Sequence, residues 1–302
     1  MLQKELRKLL WPFLVPSLIL YLVIGLWPNI EAFYWALTEY DGIAPTQTYI
    51  GLRNFQYMLN DDRLWGAVSN TLYFSGGTVV TLLPFGLLFA VLIMSVRRGH
   101  QFFKTTVYLP SILSLVIVAF LWVFILDPTI GLLNGALKVF HLTDPLKRLL
   151  DVNSLNWLGH PKLAKPSIVV VQLWSGLGFY TLLFMAGLAK IPMELYDAAK
   201  IDGAAGWSLF RFVTWPLLFP TTQTVLLLLI INGLQIFTLI YALGGGGISP
   251  ITQVMATYIY RTAFTDRRFG YATALAAFLM VVAFGLSSLF QATGAGGAVR
   301  PL

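Results

Sequence analysis

Residues 194–207 read ELYDAAKIDGAAGW, a polar and small-residue stretch between two long apolar runs. It holds three acids, two alanine pairs and two glycines, whereas the 302-residue chain is 57% hydrophobic and only 11% charged. Soluble domains carry about 25% charged residues, so most of this chain's surface faces something other than water. The stretch therefore interrupts the sequence of an all-α integral membrane protein.

Apolar segments on both sides of this stretch are long enough to cross a membrane, which takes about 20 mainly apolar residues. None has an ionisable residue near its middle, and no repeat or low-complexity linker divides the chain. We expect one membrane domain, residues 1–302, with six transmembrane helices at about 11–34, 66–95, 105–126, 166–189, 217–242 and 269–291.

Basic residues beside the apolar segments predict the topology, because Lys and Arg near span ends favour the cytoplasmic side. They precede the first span and fill the short 96–104 connection: Lys4, Arg7, Lys8, Arg97, Arg98 and Lys104. Both chain termini are then cytoplasmic, as is the 190–216 loop. The outer segments are 35–65, 127–165 and 243–268.

Within that loop, the residues from 192 to 202 predict a short helix. Pro192 fits a first helical turn, and the charge of Glu194 favours the positive end of the helix dipole. Gly203 can take the left-handed conformation that closes a helix. We expect this helix to lie at the membrane surface.

A second glycine, Gly206, precedes a predicted second helix at about 207–215, which leads to Pro216 and the fifth span. The loop carries three charges of each sign, a pattern suited to a specific protein contact. Asp197 beside two alanines offers an acceptor with little bulk around it. An ordinary solvated connection is the alternative that these residues leave open.

The spacing of the loop residues resembles that of the permeases of binding-protein-dependent ABC importers. Their cytoplasmic loop has the form E-A-A-x-x-x-G, nine residues, then I-x-L-P; this chain has D-A-A at 197–199, Gly203, nine residues, and V-T-W-P at 213–216. The loop also lies between the fourth and fifth spans, as in that family. Asp and Val keep the chemistry of the residues they replace, whereas Trp215 departs from the pattern.

Other stretches are similar to the carbohydrate-uptake branch of these permeases, and the resemblance covers nearly the whole chain. It is closest to the subunit that pairs with a second permease in maltose, trehalose or glycerol-phosphate type importers. The stretches are YIGLRNF (49–55), NTLYF (70–74), QIFTLIYALGGGG (235–247), YIYRTAF (258–264) and FGYATALA (269–276).

The resemblance implies a multi-pass subunit of a prokaryotic inner membrane that moves a sugar or polyol by alternating access. It implies a second homologous permease, a cytoplasmic ATPase dimer that binds ATP and Mg, and an extracytoplasmic solute-binding protein received by segments 35–65 and 243–268. It also implies that the helix around Asp197 docks on the ATPase. The docking residues are Glu194, Asp197, Ala198, Ala199, Asp202 and Gly203.

Energy must come from such a partner, because the chain has no G-x-x-x-x-G-K-[ST] phosphate cradle. The glycine run at 244–247 lacks the Lys and Ser/Thr that follow in that motif. We therefore expect no cofactor on this chain and no enzyme activity. The positive charge of +7 lies in clusters beside apolar segments, where it contacts lipid rather than nucleic acid.

Polar residues within the spans are the candidates for solute contact, since amides bind neutral hydroxyls and aromatic rings stack on sugar faces. The first choices are Gln235 and Asn232, which are three residues apart on one predicted helical face and lie in the part of the fifth span where the resemblance places substrate contacts. The same residue types also hold membrane helices together, so packing is the alternative. The other candidates are Asn70, Trp122 and Trp174, with Gln172 and Tyr180 nearby.

Two other function classes are weighed against an ATP-driven importer. A passive channel or an ion-coupled transporter would use 190–216 only as a surface connection, but ion coupling usually needs an ionisable residue at membrane depth. A membrane-embedded enzyme is the weakest hypothesis. The sequence has no nucleophile and base at the spacing of a known catalytic motif, and it has no Cys.

Overall fold

A computed structural model describes residues 11–12, 14–44, 47–96, 98–244 and 249–294, with side chains to residue 288. The all-α prediction is confirmed, and the only strands in these ranges are β1 (Thr38–Glu39) and β2 (Thr48–Tyr49), which pair antiparallel with Thr38 opposite Tyr49. Several residues used above lie outside the described ranges: Lys4, Arg7, Lys8, Arg97, Gly245, Gly246 and Gly247.

Helices make up most of the described chain. The long ones are α1 (Leu14–Trp35), α3 (Asp62–Ser95), α8 (Pro161–Leu188), α10 (Trp207–Leu234) and α13 (Phe269–Gly294). The short ones are α2 (Arg53–Leu59), α4 (His100–Ile112), α5 (Leu115–Ile125), α6 (Leu132–Val139), α7 (Thr143–Leu150), α9 (Met193–Ile201), α11 (Thr238–Leu243) and α12 (Met255–Tyr260). The long helices are apolar enough to cross a membrane, which gives five candidate spans in the described ranges, or six if α4 and α5 count as one.

The predicted third span, 105–126, is wrong as a single helix, because α4 and α5 meet at a bend of 95°. The backbone is extended at Leu113 and Ser114 between them, with ψ values of 141° and 137°. Contacts with α8 fix the end of α4: the Ser111 hydroxyl donates to the Ser175 carbonyl over 2.7 Å and accepts from the Phe179 N–H over 3.2 Å. Tertiary hydrogen bonds therefore hold the end of α4 on α8 next to the break.

The predicted fifth span, 217–242, also differs from the structure. It begins earlier, because the expected separate helix at 207–215 is the first part of α10, and it breaks after Leu234 before α11 starts. Pro216 does not end the helix: residues Phe210–Thr214 form a π-helical turn whose last bond runs from the Trp215 N–H to the Phe210 carbonyl. A π-turn is one of the known ways in which a helix accommodates an interruption.

One compact unit comprises Met1–Leu64 with Tyr258–Val282. In it the β-hairpin packs on the start of α13, where the Gly270 N–H donates to the Tyr40 carbonyl over 2.8 Å. Gly270 is required there, because a Cβ would lie 2.1 Å from the Thr38 carbonyl oxygen. Asn54 is buried and donates 2.9 Å hydrogen bonds to the carbonyls of Ala36 and Thr38, so the motif residue Asn54 closes the hairpin.

Asp61 is the centre of a polar network in the same unit. Its carboxylate accepts the hydroxyls of Tyr258 and Tyr271 at 2.6 and 2.5 Å. Burial acts to raise the pKa of Asp61, but the two tyrosine hydroxyls and the N–H groups of Leu64 and Arg63 outweigh it, and the pKa lies below its usual value. Asp61 therefore holds together the YIYRTAF and FGYATALA stretches.

The other compact unit comprises Trp65–Thr257 with Ala283–Leu302. Its core lies where α3, α8 and α10 meet, around Leu82, Phe184 and Leu218. A second apolar cluster joins α5 to α11 through Val118 and Leu239. These contacts place one face of α8 against one face of α10, and the cleft described next lies there.

Candidate functional site

A cleft of about 420 Å³ lies between α8 and the broken end of α10. We call it the polar cleft. Amide and hydroxyl side chains contribute to its wall, and among the described residues the phenol of Tyr180 is the only ionisable side chain that lines it. The polar lining residues are Thr78, Gln172, Ser175, Tyr180, Asn232, Gln235 and Thr238.

Asn232 and Gln235, the first choices from the sequence, both line the polar cleft and are exposed. Asn232 lies on α10, and its side-chain amide donates a 3.1 Å hydrogen bond to the Tyr180 hydroxyl. Gln235 is the residue at which α10 ends, with φ −98° and ψ 12°. Both side chains line the polar cleft, although α10 ends at Leu234, between these two residues.

Gln172 contributes a buried acceptor to the same cleft. The residue is only 9% exposed, and its Oε1 has no hydrogen-bond partner among the described residues. A buried amide oxygen without a partner is costly, and native structures usually satisfy such groups. The oxygen itself has almost no accessible surface, so a solute hydroxyl could reach it only after the side chain turns toward the cleft.

The break between α10 and α11 shapes the floor of the cleft. Ile236, Phe237 and Thr238 line it at this break, where residues 235–237 lie outside any helix. Gly233 comes so close to α3 that a Cβ would lie 2.6 Å from the Ser75 hydroxyl. The absence of a side chain at Gly233 allows the end of α10 to lie against α3.

The remaining pathway candidates lie outside the lining of the polar cleft. Asn70 is buried and donates a 2.8 Å hydrogen bond to the Gln253 carbonyl, beside a Thr71 hydroxyl that accepts from the Met255 N–H. Trp122 and Trp174 form an edge-to-face ring pair with centroids 5.7 Å apart, packed on the α5–α11 cluster. Their role in solute contact stays a prediction.

Some lining residues were missed from the sequence, namely Thr78, Ser175, Phe237 and Thr238. Ser and Thr are common in apolar helices, where they bond to their own backbone, as Thr78 does with the Phe74 and Ser75 carbonyls. Nothing in the local sequence separates a cleft-facing hydroxyl from these.

The α9 helix and its closing turn form a second, exposed site. Glu194 lies in the first turn of α9, and Gly203 has φ +84°. The Ala204 N–H bonds the Ala199 carbonyl at 2.8 Å and the Gly203 N–H bonds the Lys200 carbonyl at 3.0 Å, a Schellman closure. The predicted boundaries of 192–202 are within one residue of the observed helix.

Side chains on α9 are arranged to present the acidic and small residues outward. Asp197, Ala198 and Asp202 are exposed, and Asp197 pairs with Lys200 at 2.9 Å. On the opposite side Tyr196 packs on the α8–α10 core, and its hydroxyl lies 3.3 Å from that of Thr214. The helix is therefore fixed on α10 while its motif residues remain open to a partner.

The family model described as "binding-protein-dependent transport system inner membrane component" matches residues 82–293. This range includes α9, all of the polar cleft except Thr78, and most of the spans. The chain belongs to this family. The resemblance on which the sequence interpretation rested is thus confirmed.

Curated relatives match along almost the whole chain. The probable ABC transporter permease protein YurN of Bacillus subtilis is 31% identical, over 91% of this chain and 92% of its own length. The trehalose/maltose transport system permease protein MalF of Thermococcus litoralis is 31% identical, over 92% and 91%. The sn-glycerol-3-phosphate transport system permease protein UgpA of Agrobacterium fabrum is 30% identical, over 92% and 92%.

Solved structures support the same relationship. A chain of a bacterial ABC transporter involved in the import of the acidic polysaccharide alginate has a TM-score of 0.84 and 28% identity, with 99% of each chain covered. A chain of the alginate transporter in complex with a periplasmic protein bound to an alginate pentasaccharide has the same TM-score and 26% identity. This chain therefore shares its fold with chains of a solved bacterial ABC importer.

Proposed function

We propose that this chain is one of two permease subunits of an ATP-driven importer that carries a neutral sugar or related polyol across the inner membrane. The polar cleft is the observation that carries this proposal. Its amides and hydroxyls match hydroxyl groups, and hydrogen bonds to a polar group in an apolar setting are strongly favoured over leaving that group unpaired.

The absence of charge in the lining supports a neutral solute. Within the described part of the chain, the lining residues include no Lys, Arg, His, Asp or Glu. An acidic solute such as a sugar acid or phosphate is usually met by Arg or Lys, which form charge-assisted hydrogen bonds. This chain resembles permeases for both neutral and acidic solutes, and its cleft favours the neutral class.

The same lining disfavours the ion-coupled alternative. A proton- or sodium-coupled site usually places an ionisable residue at membrane depth. Asp61, the carboxylate of the network described above, lies one residue before α3 and outside the described spans. Energy from ATP on separate subunits accounts for accumulation without such a residue.

We further propose that α9 transmits that energy. Its exposed Asp197 and small residues are open to a cytoplasmic ATPase dimer, and its apolar side chains Met193 and Ile201 are 64% and 88% exposed. Because Tyr196 and Thr214 join α9 to α10, motion of α9 would be passed to the helix that carries Asn232. A second homologous permease and a solute-binding protein complete the assembly.

A direct test uses vesicles that contain this chain with the ATPase and second permease of its own transporter. Asn232→Ala and Gln235→Ala should lower ATP-driven solute uptake while leaving the assembly intact. The matched control is Gln101→Ala, an exposed amide on α4 outside the cleft. Unchanged uptake rate and solute preference in both cleft variants would remove the polar cleft from the pathway.

A further inference from the structure

The α6–α7 hairpin, residues 132–150, is firmly attached to the first turns of α8. Leu137, Leu146 and Leu150 of the hairpin pack in one apolar cluster with residues that follow it: Val152, Leu155, Trp157 and Leu163. Asn134 accepts from the Trp157 indole N–H over 2.8 Å and donates to the Leu155 carbonyl over 3.0 Å. The hairpin therefore has a fixed position at the end of a span.

Both of its helices end in a tight closure. His141 and Asp151 have left-handed φ values of 55° and 52°. Each closure has the long bond of a Schellman motif, from the Leu142 N–H to the Leu137 carbonyl at 2.8 Å and from Val152 to Lys147 at 3.0 Å. The Asp151 carboxylate also pairs with Lys162 of α8 at 2.5 Å, so the second closure is tied to the span.

The hairpin also carries exposed apolar side chains that are not part of this cluster. On α6, Leu132, Ala136 and Val139 follow the spacing i, i+4, i+7 and are all exposed. Leu142, which directly precedes α7, and Leu149 on α7 are also exposed, Leu149 to 80%. We call these five side chains the outer apolar face. No apolar cluster in the described part of the chain includes them.

We propose that the outer apolar face of the α6–α7 hairpin lies in the membrane interface and contacts phospholipid. The hairpin is attached at Pro161, where the candidate span α8 begins, so it sits at the level of the lipid headgroups. Lys138 and Arg148 are exposed beside the face and fit anionic headgroups. An apolar face flanked by Lys and Arg is typical of a helix that lies in the interface plane.

This contact would hold the outer-facing end of α8 at a constant depth while the wall of the polar cleft moves. α8 carries Gln172 and Tyr180 of the cleft, and the hairpin is joined to its first turns. The lipid contact itself does not depend on which solute is carried or on ATP. Its failure and the failure of the proposed function are therefore separate results.

Site-directed spin labelling tests the proposal, because the chain has no cysteine. Val139→Cys and Leu149→Cys place single labels on the two helices of the outer apolar face. Asp144→Cys is the matched control on α7, since the Asp144 side chain is 81% exposed. The full assembly is reconstituted in vesicles of phosphatidylethanolamine and phosphatidylglycerol, and collision rates with oxygen and with the polar reagent NiEDDA are measured.

At positions 139 and 149 we expect oxygen collisions to exceed NiEDDA collisions, so that the logarithm of their ratio is positive, with the opposite sign at 144. A negative value at 139 and 149, equal to that at 144, would show a solvated face and overturn the proposal. Low collision rates with both reagents would show a face covered by protein, which also overturns it. Leu132→Cys on the same face repeats the test should one labelled variant fail to assemble.

Discussion

The side-chain amide of Asn232 donates a 3.1 Å hydrogen bond to the Tyr180 hydroxyl, joining α10 to α8 at the wall of the polar cleft. Both groups have further hydrogen-bonding capacity, since the amide has a second N–H and a carbonyl oxygen. The pair therefore sets the orientation of a group that remains able to bind a solute hydroxyl.

Replacing Asn232 with Leu removes this group while keeping the side-chain volume similar. A lost hydrogen bond to a neutral hydroxyl is worth about 0.5–1.5 kcal/mol, so we expect the uptake rate at low solute concentration to fall roughly 2- to 10-fold. Initial uptake rates in vesicles give the measurement. Gln101→Leu should leave the rate unchanged, and an equal fall in both variants would contradict a specific role for Asn232.

Substitution of Gln172 should affect transport without lowering the stability of the protein. Because its buried Oε1 has no partner in the described chain, Gln172→Leu is expected to leave the free energy of unfolding unchanged or to raise it by up to about 1 kcal/mol. Uptake should nevertheless fall, because the variant lacks an amide that can turn its oxygen toward a solute in the cleft. Thermal unfolding in detergent and uptake in vesicles measure the two effects.

Asn70→Leu is the contrasting variant. The Asn70 amide is bonded to the Gln253 carbonyl at 2.8 Å, and its loss leaves that carbonyl without this donor. We expect the free energy of unfolding to fall by about 1–3 kcal/mol. Equal destabilisation by Gln172→Leu and Asn70→Leu would show that Gln172 is a packing residue.

The sequence predicted α9 and the first, second, fourth and sixth spans well, because these depend on local properties. Hydrophobic length identifies a span, and Pro192, Glu194 and Gly203 mark the ends of α9 within one residue. The bend after α4 was missed because it depends on Ser111 and its partners on α8, which are distant along the chain. Likewise, Pro216 suggests a helix end, yet the π-turn before it lets α10 continue.

The cleft was predicted only in part for a similar reason. Amides are rare in an apolar run and are easily noticed, so Asn232 and Gln235 were found. We predicted that Asn232 and Gln235 share one face of a helix, but α10 ends at Leu234. Both residues line the cleft because of the tertiary structure, not because of helical spacing. Asn70 is equally conspicuous in the sequence, but its amide bonds a distant backbone carbonyl instead.

Asp197→Arg tests the proposed docking of α9. The residue is exposed and its ion pair with Lys200 is solvated, so the free energy of unfolding should change by less than about 1 kcal/mol. Copurification of the ATPase subunits should be lost. Asp144→Arg is the control, because Asp144 is also exposed and lies near a lysine three residues later, Lys147. If both variants retained the ATPase subunits, the proposed docking of α9 would be contradicted.

Asp61 predicts a pH dependence of stability. Its folded-state pKa is lowered, so its contribution is present above the unfolded pKa of about 3.9 and is lost as pH falls through the lower folded value. The stability difference between wild type and Asp61→Asn should be greatest above about pH 4 and shrink below it. Thermal unfolding at several pH values measures this, and a difference independent of pH would contradict the network.

Gly178 tests the close contact between α8 and α4. A Cβ at this position would lie 2.5 Å from the Tyr108 Cα and the Val107 carbonyl oxygen, so the backbone must shift. We expect Gly178→Ala to lower the free energy of unfolding by about 1–3 kcal/mol. Gly76→Ala, in a helix with open space around it, should instead be neutral or stabilising.

The most direct test of ATP-driven import is to supply vesicles holding the whole assembly and its binding protein with a mixture of oligosaccharides and polyols. The solutes that accumulate inside are identified by mass spectrometry, with ATP or with an imposed proton or sodium gradient. We predict accumulation of a neutral hydroxyl-rich solute only with ATP. Accumulation driven by an ion gradient without ATP, or none with ATP, would contradict the account.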